Sequence, residues 1–75
     1  MTEPVMVRHA DLKHPHLKYC NPGTRLFFDR YGLDWRRFVL EGLPAADFEA
    51  TGDAMAIALA EVARARVAAE AGQHV

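Results

Sequence analysis

The sequence has a single cysteine, no long apolar run and no glycine-rich phosphate loop following a strand. Because Cys20 is alone, an intramolecular disulfide is excluded. No window reaches the roughly 18 apolar residues that a membrane-spanning helix requires, and no basic and apolar leader opens the chain. These absences predict a soluble, cytoplasmic protein without a membrane partner.

The sequence also lacks a constellation of residues that would indicate catalysis. A nucleophilic cysteine requires a nearby base and a third group to orient that base, and nothing around Cys20 marks these roles. The acidic residues Asp47, Glu49 and Asp53 stand where first-turn and capping residues of helices are expected. We therefore predict that the protein is not an enzyme, has no cofactor and has no small-molecule substrate.

Composition and charge are those of one small globular domain. The chain has 75 residues, of which 51% are hydrophobic and 25% charged, so it is neither disordered in composition nor long enough for two domains. Its net charge of −1 conceals an asymmetry, because residues 1–40 hold seven Lys and Arg against four Asp and Glu, and residues 41–75 hold two against six. Such a chain either neutralises itself or presents a basic face to an anionic partner.

Glycine, proline and capping residues divide the chain into helices. We predict an all-α fold with three short helices, one longer C-terminal helix and an extended N-terminal arm. The single domain is expected over residues 6–71, with an irregular arm over 6–23 and the helices over 24–71. Residues 1–5 are expected to be disordered and residues 72–75 frayed. Thr24 and Gly32 are expected to bound the first helix, and Asp34 and Gly42 the second. Pro44 is expected to begin the third helix, and the fourth is expected to run from a cap at Thr51 or Asp53 to Gly72.

Apolar residues at helical spacing predict which side of each helix faces the core. In the arm, hydrophobic residues are expected to pin an otherwise irregular segment to the domain. The predicted core-facing residues are Leu12, Leu17 and Tyr19 in the arm, Leu26, Phe27 and Tyr31, then Trp35, Phe38 and Val39, then Phe48, and finally Met55, Leu59 and Val62.

The stretch "RYGLDWRRFVLEGLP" has the outline of a helix-turn-helix, since two helices join through a short turn that contains glycine. A helix that reads DNA presents basic or amide side chains to base edges, and here only Arg36 and Arg37 are available, with Arg25 on the preceding helix. The long helix begins with Asp53 and then small or apolar residues, which read no bases. A fold corner is therefore the favoured interpretation, and a nucleic-acid-associated regulator that uses these three arginines is the alternative.

A cluster of potential metal ligands lies in the arm. His9, His14, His16 and Cys20 fall within twelve residues, and imidazole and thiolate are the usual ligands of zinc. A structural zinc site normally has two close pairs separated by a longer loop, a pattern that this cluster does not follow. We predict no metal site, with these four residues as the candidates if one exists.

The last helix favours association with another protein. Small side chains let a neighbouring helix approach closely, and alanine dominates this segment. Ile57 and Val67 fall off the predicted core stripe, so they are the predicted interaction residues. The sequence thus predicts self-association or a protein partner.

The stretch "NPGTRLFFDRYGLDWRRFVLEGLPAADFEATGDAMA" carries a resemblance to a known group of proteins. It resembles short open reading frames of proteobacterial phages and prophages, which share an aromatic pair before "GLDW", a "G-[IL]-P" step and an "ATGDA" helix start. The resemblance covers about residues 6–62 and implies no activity. It implies a viral or prophage context, in which an assembly accessory, a host-directed binder or a regulator would be expected.

Overall fold

The computed structural model describes residues 4–15, 17 and 19–72. In that part of the chain the predicted all-α fold is confirmed, with three short helices and a longer one at the C-terminal end. A pair of two-residue strands and a 3₁₀ helix complete the architecture. In chain order the elements are β1 Met6–Val7, the 3₁₀ helix His9–Lys13, α1 Asn21–Tyr31, α2 Trp35–Glu41, β2 Leu43–Pro44, α3 Ala45–Glu49 and α4 Ala54–Gly72.

The N-terminal arm is more ordered than the sequence predicted. Strand β1 pairs with β2 in antiparallel register, Val7 opposite Leu43, and the carbonyl of Val5 accepts a hydrogen bond of 2.8 Å from the Ala45 backbone N–H. Val5 therefore belongs to the fold, whereas it was predicted to lie in a disordered end. Residues 1–3 and 73–75 lie outside the described part of the chain.

Gly42 allows β1 to approach the end of helix α2. Its φ of 85° is in the region that favours glycine, and a Cβ atom there would lie 2.8 Å from the carbonyl oxygen of Val7. Any side chain would therefore clash with the backbone of the strand and strain its own backbone. The predicted helix end at Gly42 is confirmed, and it also serves the strand pairing.

Helix α1 begins earlier than the sequence predicted. Cys20 occupies the N-cap position and Pro22 lies in the first turn, where the missing N–H of proline costs nothing because that group has no helical partner. Thr24 is therefore not the cap. It is buried inside the helix, and its hydroxyl donates a 2.7 Å hydrogen bond to the carbonyl of Cys20.

The aspartate caps predicted for α2 and α4 are confirmed, whereas Pro44 precedes α3 as its N-cap residue instead of opening the helix. Asp34 accepts a hydrogen bond of 3.0 Å from the Arg37 backbone N–H at the start of α2. Asp53 likewise accepts one of 2.8 Å from the Met55 backbone N–H at the start of α4. Each carboxylate satisfies a backbone donor that the first turn of a helix leaves free.

Three phenylalanine rings form the centre of the core. Phe28, Phe38 and Phe48 are each fully buried, with ring centroids 4.9 to 5.9 Å apart. The predicted inner face of α1 is partly wrong, because Phe28 is its main core residue and Leu26 is 72% exposed. The two side chains leave the helix about 160° apart, so burying one exposes the other.

Helix α4 packs mainly against α3. Its buried residues are Ala56, Leu59, Ala60 and Ala63, which repeat at the spacing of one helical face. The predicted core face of α4, with Met55, Leu59 and Val62, is rotated about the helix axis from the observed one, because Met55 is 46% exposed. The small side chains let α4 approach its own domain closely, so these alanines are used within the fold.

Candidate interaction surface

The large apolar side chains most exposed in the described part of the chain identify the candidate site. They are Leu26 at 72%, Leu40 at 71%, Met55 at 46% and Val39 at 43%. Two of them are neighbours on α2, where a shallow groove of about 290 Å³ is lined by Trp35, Arg36, Val39 and Leu40. We call these four residues the α2 face.

The packing of helix α2 fixes the direction of this face. Phe38 is fully buried, and Leu40 leaves the helix about 160° away from it, so the core contact of one turns the other to solvent. Trp35 is half-buried at the edge, with its ring 5.2 Å from Phe28 and 5.7 Å from Phe38 between centroids. The groove therefore has one wall that is held by the core.

The charged residues of α2 lie on two sides of the helix. Arg36 lines the groove of the α2 face. Arg37 and Glu41 are each two residues from Val39 and therefore leave the helix about 160° away from it. The distance from Arg37 Nε to Glu41 Oε2 is 3.9 Å, with side chains 61% and 71% exposed. A pair this long and this exposed contributes little to stability, so both charges are available to another molecule.

The structure places the predicted interaction residues elsewhere, and in more sheltered positions. Ile57 and Val67 are both partly buried. Val67 lines a depression of about 220 Å³ together with Val5 and Met6, so the N-terminal segment shelters it. The sequence pattern did not indicate Leu40 as a surface residue, and it predicted Val39 in the core, although Val39 is 43% exposed. The signal that could have found Leu40 is its position opposite Phe38.

The metal candidates lie in different surroundings. The ring nitrogen Nε2 of His9 is 3.3 Å from Asn21 Oδ1, and its ring meets Trp35 edge-on at 5.7 Å. Cys20 is exposed at the start of α1, His14 is half-buried, and His16 lies outside the described residues. Among residues 4–15, 17 and 19–72, no group of three or more His, Cys, Asp or Glu side chains is arranged to hold a metal ion.

The arginines of the nucleic-acid alternative are all exposed. Arg25 lies on α1, and Arg36 and Arg37 lie in the first turn of α2. The guanidinium of Arg37 faces the carboxylate of Glu41. The backbone N–H of Arg37 donates a hydrogen bond to the carboxylate of Asp34. Negative charge thus accompanies the basic residues at both ends of α2, and the nucleic-acid interpretation stays a prediction.

Shifted pKa values mark contacts that hold the helices together. The hydroxyl of Tyr31 donates a 2.8 Å hydrogen bond to Asp53 Oδ2, which raises the pKa of Tyr31 and lowers the pKa of Asp53. Arg64 donates two hydrogen bonds, of 2.8 and 2.7 Å, to Glu49, and this contact lowers the pKa of the Glu49 carboxyl. These pairs join α1 and α3 to α4.

A further ion pair joins the N-terminal segment to α4. Asp11 is only 6% exposed, and its Oδ1 lies 3.0 Å from Nε of Arg66. The Nη2 of Arg66 also donates a 2.8 Å hydrogen bond to the carbonyl of Met6. The hydrogen bond with Asp11 raises the pKa of the Arg66 guanidinium. Arg66 therefore holds the N-terminal segment against α4.

Neither a protein-family model nor a curated protein nor a solved structure matches the chain. In the part of the chain that the structure describes, no helix combines the length and the apolar character needed to cross a membrane. The phage or prophage relationship and the cytoplasmic location stay predictions.

Proposed function

We propose that the protein is a small non-catalytic interaction module, an accessory to an assembly, and that it binds its protein partner through the α2 face. The observation that carries this proposal is the pair Val39 and Leu40, which are 43% and 71% exposed beside a groove. Apolar side chains exposed next to one another are typical of sites where another protein binds.

The composition of the α2 face supports the same function. Tryptophan and arginine are the residue types that contribute most often to binding energy at protein interfaces, and Trp35 and Arg36 line the groove. Trp35 also packs against the buried rings of Phe28 and Phe38, so little side-chain entropy is lost when a partner covers it. The face is therefore largely pre-organised for binding.

The expected contribution of Leu40 follows from its exposure. Complete burial of a leucine side chain contributes about 1.5–3 kcal/mol, and 71% of this side chain remains to be covered. Its loss would thus weaken binding by about 1–2 kcal/mol, which corresponds to roughly a five- to thirtyfold change in affinity. A phage or prophage assembly, as the resemblance implies, would provide partners for such an accessory.

The experiment compares Leu40→Asp with the matched control Leu26→Asp. Both leucines are about equally exposed, at 71% and 72%, but Leu26 is on α1 between Arg25 and Asp29 and does not line the groove. The tagged protein and both variants are used to retain proteins from an extract of the source cells. Each retained protein is identified, purified and titrated by calorimetry.

We expect the partner to bind the unmodified protein and Leu26→Asp, and to bind Leu40→Asp at least about fivefold more weakly. Circular dichroism establishes that both variants stay folded. Equal affinity for the two variants would place binding elsewhere and contradict the proposal.

A further inference from the structure

A cavity between the 3₁₀ helix and α4 is separate from the α2 face, since the two share no lining residue. Its volume is about 430 Å³, within the range of about 300–1,000 Å³ that is typical of sites for small molecules. Most of the lining surface is apolar, which is also typical of such sites. The apolar lining residues are Ala10, Val62 and Ala65, and the polar ones are Asp11, Lys13, His14 and Arg66.

The spacing of the lining residues along their helices explains why they meet. On α4, Ala65 and Arg66 follow Val62 by three and four residues, so the three side chains lie on one side of the helix. In the 3₁₀ helix, Ala10 and Lys13 are three residues apart, which is one turn of this type of helix. The side chains of Ala10 and Ala65 end at Cβ and both residues are exposed, so the space between the two helices stays open.

The ion pair between Asp11 and Arg66 holds the two walls of the cavity together. Nε of Arg66 lies 3.0 Å from Asp11 Oδ1, and Oδ2 accepts a 2.8 Å hydrogen bond from the Arg8 backbone N–H. Both oxygens of this buried carboxylate thus bind donors of the protein itself. Because the fold already fixes the walls, a ligand does not have to order them when it binds.

The lining has an excess of positive charge. Lys13 and Arg66 contribute two positive charges and Asp11 one negative charge, which leaves +1 with His14 neutral. Arg66 is paired with Asp11. Lys13 is exposed and has no hydrogen bond or ion pair among the residues that the structure describes. Its ammonium group can therefore pair with an anion without giving up a contact of the fold.

From the apolar walls and the unpaired Lys13 we infer that the cavity binds a small organic monocarboxylate with an apolar body. The apolar body covers the side chains of Ala10, Val62 and Ala65, and the carboxylate pairs with the ammonium group of Lys13. An uncharged molecule of the same shape would lack this ion pair. The inference is independent of the proposed function, because it concerns a different surface and a different class of ligand.

Phenylacetate is the probe for the test, because it combines one carboxylate with one apolar ring. Binding is followed at neutral pH by the methyl NMR signals of Ala10, Val62 and Ala65. We expect these signals to shift with a dissociation constant in the millimolar range, as is usual for a ligand of about ten non-hydrogen atoms. Phenylacetamide, which lacks the charge, and acetate, which lacks the ring, should each bind at least about threefold more weakly.

Two pairs of variants locate the binding site. Lys13→Gln should weaken the binding of phenylacetate about three- to fivefold. Arg25→Gln removes the same charge from an exposed position on α1 and should leave the affinity unchanged. Ala65→Phe fills the cavity and should abolish binding, whereas Ala68→Phe, also exposed on α4 but outside the lining, should not. Circular dichroism establishes that all four variants stay folded.

Methyl signals that stay unchanged at about 50 mM phenylacetate would overturn the inference. Equal affinities for phenylacetate and phenylacetamide would do the same, and so would equal affinities of Lys13→Gln and Arg25→Gln, because the ammonium group of Lys13 would then not bind the ligand. None of these results affects the proposed function, since Leu40→Asp tests that function at a surface without these residues.

Discussion

The ion pair between Asp11 and Arg66 permits a quantitative test of how the N-terminal segment is held. In Arg66→Met the apolar stem is kept and the guanidinium is lost. The Asp11 carboxylate, 6% exposed, would then keep the Arg8 backbone N–H at 2.8 Å but lose its counter-charge. The carbonyl of Met6 would lose a donor as well.

The expected loss of stability is a large part of the total. Removal of one partner from a buried ion pair costs about 3–5 kcal/mol. The Arg66 side chain is 23% exposed, so water partly reaches this pair and we expect about 2–4 kcal/mol. A chain of 75 residues has a free energy of unfolding of about 4–11 kcal/mol, and the variant should therefore be only marginally folded.

Urea denaturation followed by Trp35 fluorescence measures this loss, and Arg64→Met is the matched control. Arg64 is on the same helix and contacts Glu49 at 2.7 Å, but the side chains are 47% and 37% exposed. Water screens an exposed pair, so the loss should be clearly smaller in spite of the shorter contact. Equal losses in the two variants would show that burial does not set the strength of the Asp11–Arg66 pair.

A double variant distinguishes the stability lost with the contact from the stability lost because the buried Asp11 carboxylate has no counter-charge. In Asp11→Asn the side chain still accepts the Arg8 N–H but carries no charge. Combined with Arg66→Met, it should give a protein more stable than Arg66→Met alone, because no uncompensated carboxylate remains buried. If the two substitutions simply add, the two side chains are not coupled and the reasoning is refuted.

Other predictions concern the core, a glycine and the effect of pH. Phe28→Ala should lower the free energy of unfolding by about 3–5 kcal/mol, measured in urea, because the ring is fully buried. Gly42→Ala should destabilise more than Gly32→Ala, since both have positive φ but only a Cβ at the former meets a backbone oxygen. The hydrogen bond between Tyr31 and Asp53 lowers the pKa of the aspartate and raises that of the tyrosine. Its stabilisation should therefore be lost as pH falls below about 4 and as it rises above about 10, and Tyr31→Phe should flatten both limbs of the stability–pH curve.

Each of these outcomes has a result that would contradict it. A Phe28→Ala variant as stable as Phe27→Ala would mean that the α1 face is assigned incorrectly. Equal effects of alanine at the two glycines would show that the strand does not limit the space at Gly42. An unchanged pH profile in Tyr31→Phe would show that its hydroxyl does not bind Asp53 in solution.

Features that depend on neighbouring residues could be predicted from the sequence. Asp34 and Gly42 bound helix α2 because a cap requires only a side chain and the backbone a few residues away. Helix α1 was harder, because Leu26, Phe27 and Phe28 are consecutive and apolar. Helical periodicity does not decide which of them is buried, and the choice follows from the rings of the other helices.

The strand pair and the α2 face depend on contacts that local patterns do not contain. Val7 pairs with Leu43 across much of the chain, and two residues are too few to show the alternation of a strand. On α2 the apolar residues point in several directions, so Val39 was assigned to the core and Leu40 to no surface. Only the burial of Phe38 establishes which side of the helix remains exposed.

The attachment of the N-terminal segment has a consequence for the order in which the chain can fold during synthesis. Met6 and Val7 leave the ribosome well before their strand partner, which is complete only when Pro44 has emerged. Arg66, the ion-pair partner of Asp11, is synthesised later still. Until residue 66 has been synthesised, the Asp11 carboxylate has its local Arg8 N–H donor but no counter-charge, so the N-terminal segment is attached to α4 in a late step.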